Sequence, residues 1–353
     1  MVESVIVSTP TRQTPAPPIG IVASIASGFE AVNARLELIL LPLALDLLLW
    51  LGPHLSVKPV MDQMLALMQT AQTPAGVDAP TAQNFESMRQ SLMLALTAYG
   101  DRFNLFSVLS TAPLGLPSLL ASRAPIVVPG GLPRTWYVDS SLEYLLLFSA
   151  FLLLGLFLGA LYFGAIAQQA RDARVNWLQL SKQIWGDWAR LTAFSVVAVV
   201  VLAVIGLPAA LVSSLVALLS PEIARFILIT LVLWFVVYFG FTLHGVVLQR
   251  RGLLGALWDS VRLAHASLPQ TISLYAAIVL INLGLGYVWT LPADDSWLLF
   301  IGLAGHALIA TALVAATFAF YKDRYRWWQE TRAAAVKART EAKKDEANRR
   351  TKA

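Results

Sequence analysis

The stretch Leu142-Glu143-Tyr144-Leu145-Leu146-Leu147-Phe148-Ser149-Ala150-Phe151-Leu152-Leu153-Leu154-Gly155-Leu156-Phe157-Leu158-Gly159-Ala160-Leu161-Tyr162-Phe163-Gly164-Ala165-Ile166 carries one charged residue, Glu143, in 25 positions. As an α-helix it would measure about 37 Å at 1.5 Å per residue, more than the roughly 30 Å of hydrocarbon in a bilayer. A helix on a soluble core is apolar along one stripe; this one is apolar all round. Working outward, similar runs occupy 36–53, 191–218, 222–248, 271–290 and 297–321. The sequence therefore predicts an all-α fold: a polytopic membrane helix bundle with six transmembrane helices, interfacial amphipathic helices and a helical external segment. The 36–53 run is short and interrupted by Pro42 and Asp46, so a half-inserted segment stands as its alternative.

Composition agrees. The 353 residues are 57% hydrophobic and 13% charged, with a mean hydropathy of +0.66, against roughly 25% charged residues in soluble chains. Cysteine is absent, which removes a disulfide framework, thiol catalysis, Cys-ligated zinc and iron–sulfur clusters.

Basic residues gather on the cytoplasmic side of membrane proteins. With both termini placed there, that side holds Arg12, Arg35, Arg171, Arg174, Lys182, Arg190, Arg250, Arg251, Arg262 and the 11 bases of the tail, 20 of the 26 in the chain. The external side keeps Lys58, Arg89, Arg102, Arg123, Arg134 and Arg225. The predicted location is a bacterial cytoplasmic membrane. The tail, with 11 bases and five acids, is net +6, whereas the whole chain is +5; the basic character is a property of the tail. Such a tail suits anionic lipid head groups, and nucleic acid is not an expected partner.

The expected organisation is a cytoplasmic arm and surface helix over 1–35, a first transmembrane helix over 36–53, and an external helical segment over 54–141. A five-helix membrane core over 142–321 and a basic cytoplasmic tail over 322–353 complete it. Ile21, Ile25, Phe29, Val32 and Leu36 form one apolar stripe, which reads as a helix lying on the membrane surface over 19–35. Residues 1–20 are polar and proline-rich and do not read as a cleaved signal peptide.

The core carries a tandem pattern of span, surface helix and span. Val175 to Trp185 follows one basic cluster and Leu253 to Leu263 another; a shift of 79 residues superposes Leu178 on Leu257, Ser181 on Ser260 and Thr192 on Thr271. The motif Gly255-Ala256-Leu257-Trp258-Asp259-Ser260-Val261-Arg262-Leu263, with Ile301-Gly302-Leu303-Ala304-Gly305-His306-Ala307 and Phe320-Tyr321-Lys322-Asp323-Arg324, resembles a large family of bacterial six-span proteins. That family includes the membrane domain fused to some glycerophosphodiester phosphodiesterases. The resemblance covers 142–325 and implies no activity for the membrane part. The phosphodiesterase chemistry belongs to a barrel of about 250 residues, for which this chain has no room.

Asp46, His306 and Asn282 are candidate polar site residues inside spans. Intramembrane ionisable residues mark proton or ion sites, or else bond a neighbouring helix. Gly206 and Pro208 interrupt the third span as a kink or a hinge. Gly155, Gly159 and Gly164 suit close helix packing, within the bundle or in a homodimer. In the external segment Met61, Met64 and Met68 lie on one helical face and Met88 and Met93 on a second. Joined by a turn at Thr73–Gly76, these faces would pack together or offer an apolar ligand a flexible surface. Four scattered histidines lack metal-ligand spacing, so no metal and no cofactor are expected. No nucleophile–base pair emerges, so the chain reads as a non-enzymatic accessory or structural protein of envelope or lipid homeostasis, with membrane lipids and a protein partner as its company. The alternative is a small transporter using Asp46 and His306.

Overall fold

The computed structural model describes residues 16–70, 78–111, 113–123, 127–217 and 220–352. Its helices are α1 (Ile21–Asn33), α2 (Leu40–Leu51), α3 (Lys58–Thr70), α4 (Ala79–Arg102), α5 (Ser141–Asp172), α6 (Trp177–Ala217), α7 (Pro221–Phe239), α8 (Thr242–Val247), α9 (Leu253–Ala266), α10 (Leu268–Trp289) and α11 (Leu299–Lys352). Two short strands, β1 (His54–Ser56) and β2 (Thr135–Tyr137), pair in parallel with His54 opposite Thr135. The expected turn at Thr73–Gly76 and Arg12 lie outside the described residues.

Among the described residues five lengths are long and apolar enough to cross a membrane: α5, α6, α7 with α8, α10 and α11. The expected sixth transmembrane helix over 36–53 is corrected. It consists of a 3-10 turn at Leu36–Ile39 and the 12-residue α2, about 18 Å long at 1.5 Å per residue. The helix expected over 19–35 forms as α1, which packs antiparallel along α11. The backbone N–H of Ile19 donates to the Asp323 carboxylate at 2.7 Å, and Gly28 sits against Ala312 and Ala316. Further on, the Trp50 indole donates to the carbonyl of Asp294 at 2.7 Å and meets Trp297 edge-on at 5.6 Å. Leu299 to Asp323 spans about 36 Å of helix, and α1, the 3-10 turn and α2 together run along that length. Gly28 permits it: a Cβ there would overlap the Ala312 carbonyl, and small residues let two backbones approach.

The other long helices depart from expectation at their ends. The surface stretch read at 175–185 is the first part of the 41-residue α6, which continues without interruption through Gly206 and Pro208. The span read at 222–248 is broken instead, between α7 and α8, where the Tyr275 hydroxyl fills the space beside Gly240. The tail is no separate unit, since α11 runs for 54 residues out of the last span.

The helices α3 and α4 with the strands β1 and β2 form a cap over one end of the bundle. Val57, Val60, Met61, Leu105 and Val138 give it a small core of its own, and Lys58 bonds Asp101 across the α3–α4 hairpin at 2.5 Å. The opposite, basic end carries Arg171, Arg251 and Lys322.

Candidate functional site

Between α4 and β2 the chain does not stay in the cap. Asn104 starts the descent: its side-chain oxygen accepts from Leu55 N at 3.1 Å and Phe106 N at 3.2 Å, tying a 3-10 turn at Leu105–Ser110 to β1. Thr111 then turns the backbone at φ 43°. The chain passes Gly155 with Leu109 and Thr111, and Gly159 with Leu114 and Gly115. Gly159 is 18 residues into α5, about 27 Å along its axis, so this irregular segment reaches membrane depth. Gly155 and Gly159, read as helix-packing residues, accommodate this segment; a Cβ on Gly159 would overlap the Leu114 carbonyl. Gly164 takes the Leu180 side chain.

Non-helical backbone at that depth persists only where its polar groups find partners. Ser110 donates to the Leu116 carbonyl at 2.7 Å. Asp46, fully buried, gathers the rest: its Oδ1 accepts the Ser118 hydroxyl at 2.5 Å and Leu120 N at 3.1 Å, and its Oδ2 accepts Leu119 N at 3.1 Å. Ser118 Oγ in turn accepts from Ala121 N at 3.0 Å. In this geometry Asp46 anchors the turn at 118–121 with both oxygens engaged. The segment climbs back to Arg123, whose guanidinium meets Asp294 at 2.8 Å and the Thr290 carbonyl at 3.4 Å.

Two cavities flank this turn. One of about 700 Å³ lies under the cap, walled by Tyr99, Arg102, Asn104, Ser107, Arg123 and Asp294. Arg123 is neutralised by Asp294; Arg102 has no carboxylate within 4.0 Å among the described residues. The second, about 340 Å³, lies deeper between the turn, α10 and α11, lined by Ser110, Ser118, Ser122, Asn282, His306 and Thr317 beside Ile278, Ala310, Leu313 and Val314. Ala121 and Ser122 line both cavities.

Asn282 and His306 thus share one cavity, and Asp46 stands one hydrogen bond behind its wall, through Ser118. Gly302 and Gly305 set His306 there by letting Trp289 lie on α11. His306 Nδ1 is buried without a partner among the described residues. At the cavity's inner limit Thr317 donates to the Val314 carbonyl at 2.7 Å and so must accept the 2.7 Å bond from His244 Nε2, because a hydroxyl has one proton to give.

The remaining predicted residues lie elsewhere. Gly206 and Pro208 line neither cavity; Pro208 sits exposed inside α6, and nothing approaches Gly206 within 4 Å. The methionines do not form one surface. Met61 is buried under Gly100, Met64 and Met88 face outward, and Arg89 bridges the Met68 carbonyl and Met93 sulfur at 3.4 and 3.6 Å. Sequence reading missed Arg102, Arg123 and the serines at 110, 118 and 122; the signal for the serines and Arg123 was their crowding among prolines between apolar residues. Three or more His, Asp or Glu side chains placed to hold a metal do not occur among the described residues. Comparison with protein-family models, curated proteins and solved structures gave no match.

Proposed function

We propose that the chain is a membrane-embedded accessory protein of envelope or lipid homeostasis that holds an anionic amphiphile at its cap end. The observation that carries this reading is the common wall at Ala121–Ser122. A polar chamber with an uncompensated arginine adjoins a deeper chamber in which six hydroxyl, amide or imidazole side chains alternate with aliphatic ones. A head group suits the first and a chain the second. The orientation follows the bases: the basic end in the cytoplasm, with both termini, and the cap outside a bacterial cytoplasmic membrane. The resemblance to the membrane domain of glycerophosphodiester phosphodiesterases accords with a lipid context and supplies no reaction.

The test is gentle detergent extraction followed by native mass spectrometry of the intact chain. An anionic amphiphile should remain bound, and Arg102→Gln and Ala121→Trp, the latter plugging the common wall, should each release it. A bare wild-type chain would overturn the proposal.

A second reading is a permease for a small polar solute, favoured by the hydroxyls that continue from Ser122 to Thr317 and His244. It predicts solute flux into proteoliposomes, which Ala121→Trp abolishes.

A further inference from the structure

At the basic end α9 lies across the bundle. It buries Ala256, Asp259, Ser260, Leu263 and Ala264, the three- and four-residue spacing of one helical face. Asp259 is held there by Arg251 at 3.3 Å and by the Tyr325 hydroxyl at 3.4 Å. The opposite face presents Leu254, Trp258, Arg262 and His265 in one line, with Leu254 82% and Trp258 57% exposed. A helix that exposes Leu and Trp beside Arg on its outer line has the residue types suited to a membrane interface.

Where that line ends, α9 and α11 flank an open groove of about 510 Å³, with Arg262 and His265 on one side and Trp328 and Arg332 on the other. Both arginines are stacked: Arg262 lies 4.8 Å over the Trp258 ring and Arg332 5.6 Å over the Trp328 ring. Neither has a carboxylate within 4.0 Å among the described residues, although other bases at this end are paired, Arg190 with Asp187, Arg251 with Asp259 and Arg326 with Asp323. Stacking restricts a guanidinium while leaving its N–H fork free, and that fork matches phosphate oxygens.

We propose that this groove binds the phosphate of an anionic phospholipid from the leaflet at the basic end. Two uncompensated guanidinium groups face one groove, and the exposed Leu254 and Trp258 on the same outer line of α9 suit contact with a bilayer beside it. A lipid phosphodiester is therefore preferred to a free phosphate, and an anionic lipid to a zwitterionic one. The site lies at the opposite end from the cap cavities and stands or falls independently of them.

The experiment uses the full chain in nanodiscs of phosphatidylcholine titrated with phosphatidylglycerol, bound lipid being counted by native mass spectrometry. At about 1 kcal/mol per basic residue near the surface, Arg262→Gln or Arg332→Gln should weaken retention about fivefold, and the double variant about thirtyfold. Arg326→Gln, whose guanidinium lies outside the groove, should leave it unchanged. If the double glutamine variant fails to fold, R262K/R332K carries the test: it keeps the charge, loses the fork, and should still retain less lipid than the wild type. Equal retention by either double variant would overturn the proposal. So would equal retention of phosphatidylcholine, or displacement of the lipid by inorganic phosphate at matching concentration.

Discussion

Replacing Asp46 separates a structural carboxylate from a transport carboxylate. Asp46 is fully buried, and its two oxygens accept three hydrogen bonds, from the Ser118 hydroxyl, Leu119 N and Leu120 N. Hydrogen bonds to a charged acceptor contribute about 1.5–3 kcal/mol each, and a buried donor left unpaired costs about 1–3 kcal/mol. Asp46→Ala removes all three partners; the Ser118 hydroxyl can rotate, whereas the two backbone N–H groups cannot. The expected loss is about 4–6 kcal/mol. Asp46→Asn is a finer cut. Its oxygen, placed at Oδ1, keeps Ser118 and Leu120, while its NH2 group faces the Leu119 N–H as donor against donor. That variant should lose about 2–3 kcal/mol.

Stability is read from SDS-driven unfolding in mixed micelles. A second readout uses the natural absence of cysteine. Ser110→Cys places one thiol at a position 4% exposed on the re-entrant segment. Maleimide should modify it slowly when Asp46 is intact, faster in the Asn background and fastest in the Ala background. If Asp46→Asn matched the wild type in both readouts yet abolished ligand retention or flux, Asp46 would be a working group of the site, and the anchoring argument would fail.

Three further outcomes are expected. Gly28→Leu forces a side chain into the Ala312 carbonyl; overpacking of this kind costs about 1–3 kcal/mol, and an unchanged SDS midpoint would show that α1 does not pack on α11. His54 in the cap is held below its ordinary value of 6.5, chiefly by burial, with a backbone bond to Phe103 in opposition. Its neutral form is favoured by folding, so the stability it contributes is present above pH 6.5 and lost as pH falls towards the depressed value. The protection of Val138 N–H, which bonds the Ser56 carbonyl at 3.0 Å, measured against its intrinsic exchange rate at each pH, should therefore fall below pH 6.5, and His54→Phe should flatten that dependence. Finally, an impermeant maleimide should label Leu132→Cys in intact cells, and Asp172→Cys and Thr340→Cys only after permeabilisation; labelling in the reverse pattern refutes the orientation drawn from the bases.

What could be read in advance was whatever a local length or count decides. Bilayer thickness alone picks out α5, α10 and the membrane part of α11. What escaped depends on partners far away in sequence. The 118–121 turn is set by Asp46, more than 70 residues earlier, and no periodicity in either segment announces the other. At the irregular turn before α8 a tyrosine of α10 lies against Gly240. Residues 19–35 carry the amphipathic stripe of a surface helix, but that stripe cannot say whether membrane or protein covers it. Gly28 was the clue, a glycine mid-helix facing alanines on α11. His306 and Asn282 were identifiable as intramembrane polar groups; that they share one chamber is a matter of tertiary packing.

The two connections at the basic end explain why the deep chamber forms where it does. Both leave a span through a left-handed non-glycine residue, Ala173 at φ 53° and Arg250 at φ 54°. Both then lay the next helix on a glycine near the end of that span, Leu180 on Gly164 and Ala256 on Gly245. They diverge one helix later. Ser267, at φ −136° and ψ 38°, breaks the chain between α9 and α10, with Pro269 in the first turn beyond. Seventy-nine residues earlier stands Arg190, which a helix interior accepts as readily as it rejects proline. So α6 continues straight from its surface portion, and its membrane stretch stays largely exposed, whereas α10 is free to change direction. It packs on α11 through Trp289 and closes one side of the chamber with Ile278 and Asn282. Two similar connections thus lead into different helices, one largely exposed along its apolar stretch and one that walls the candidate site.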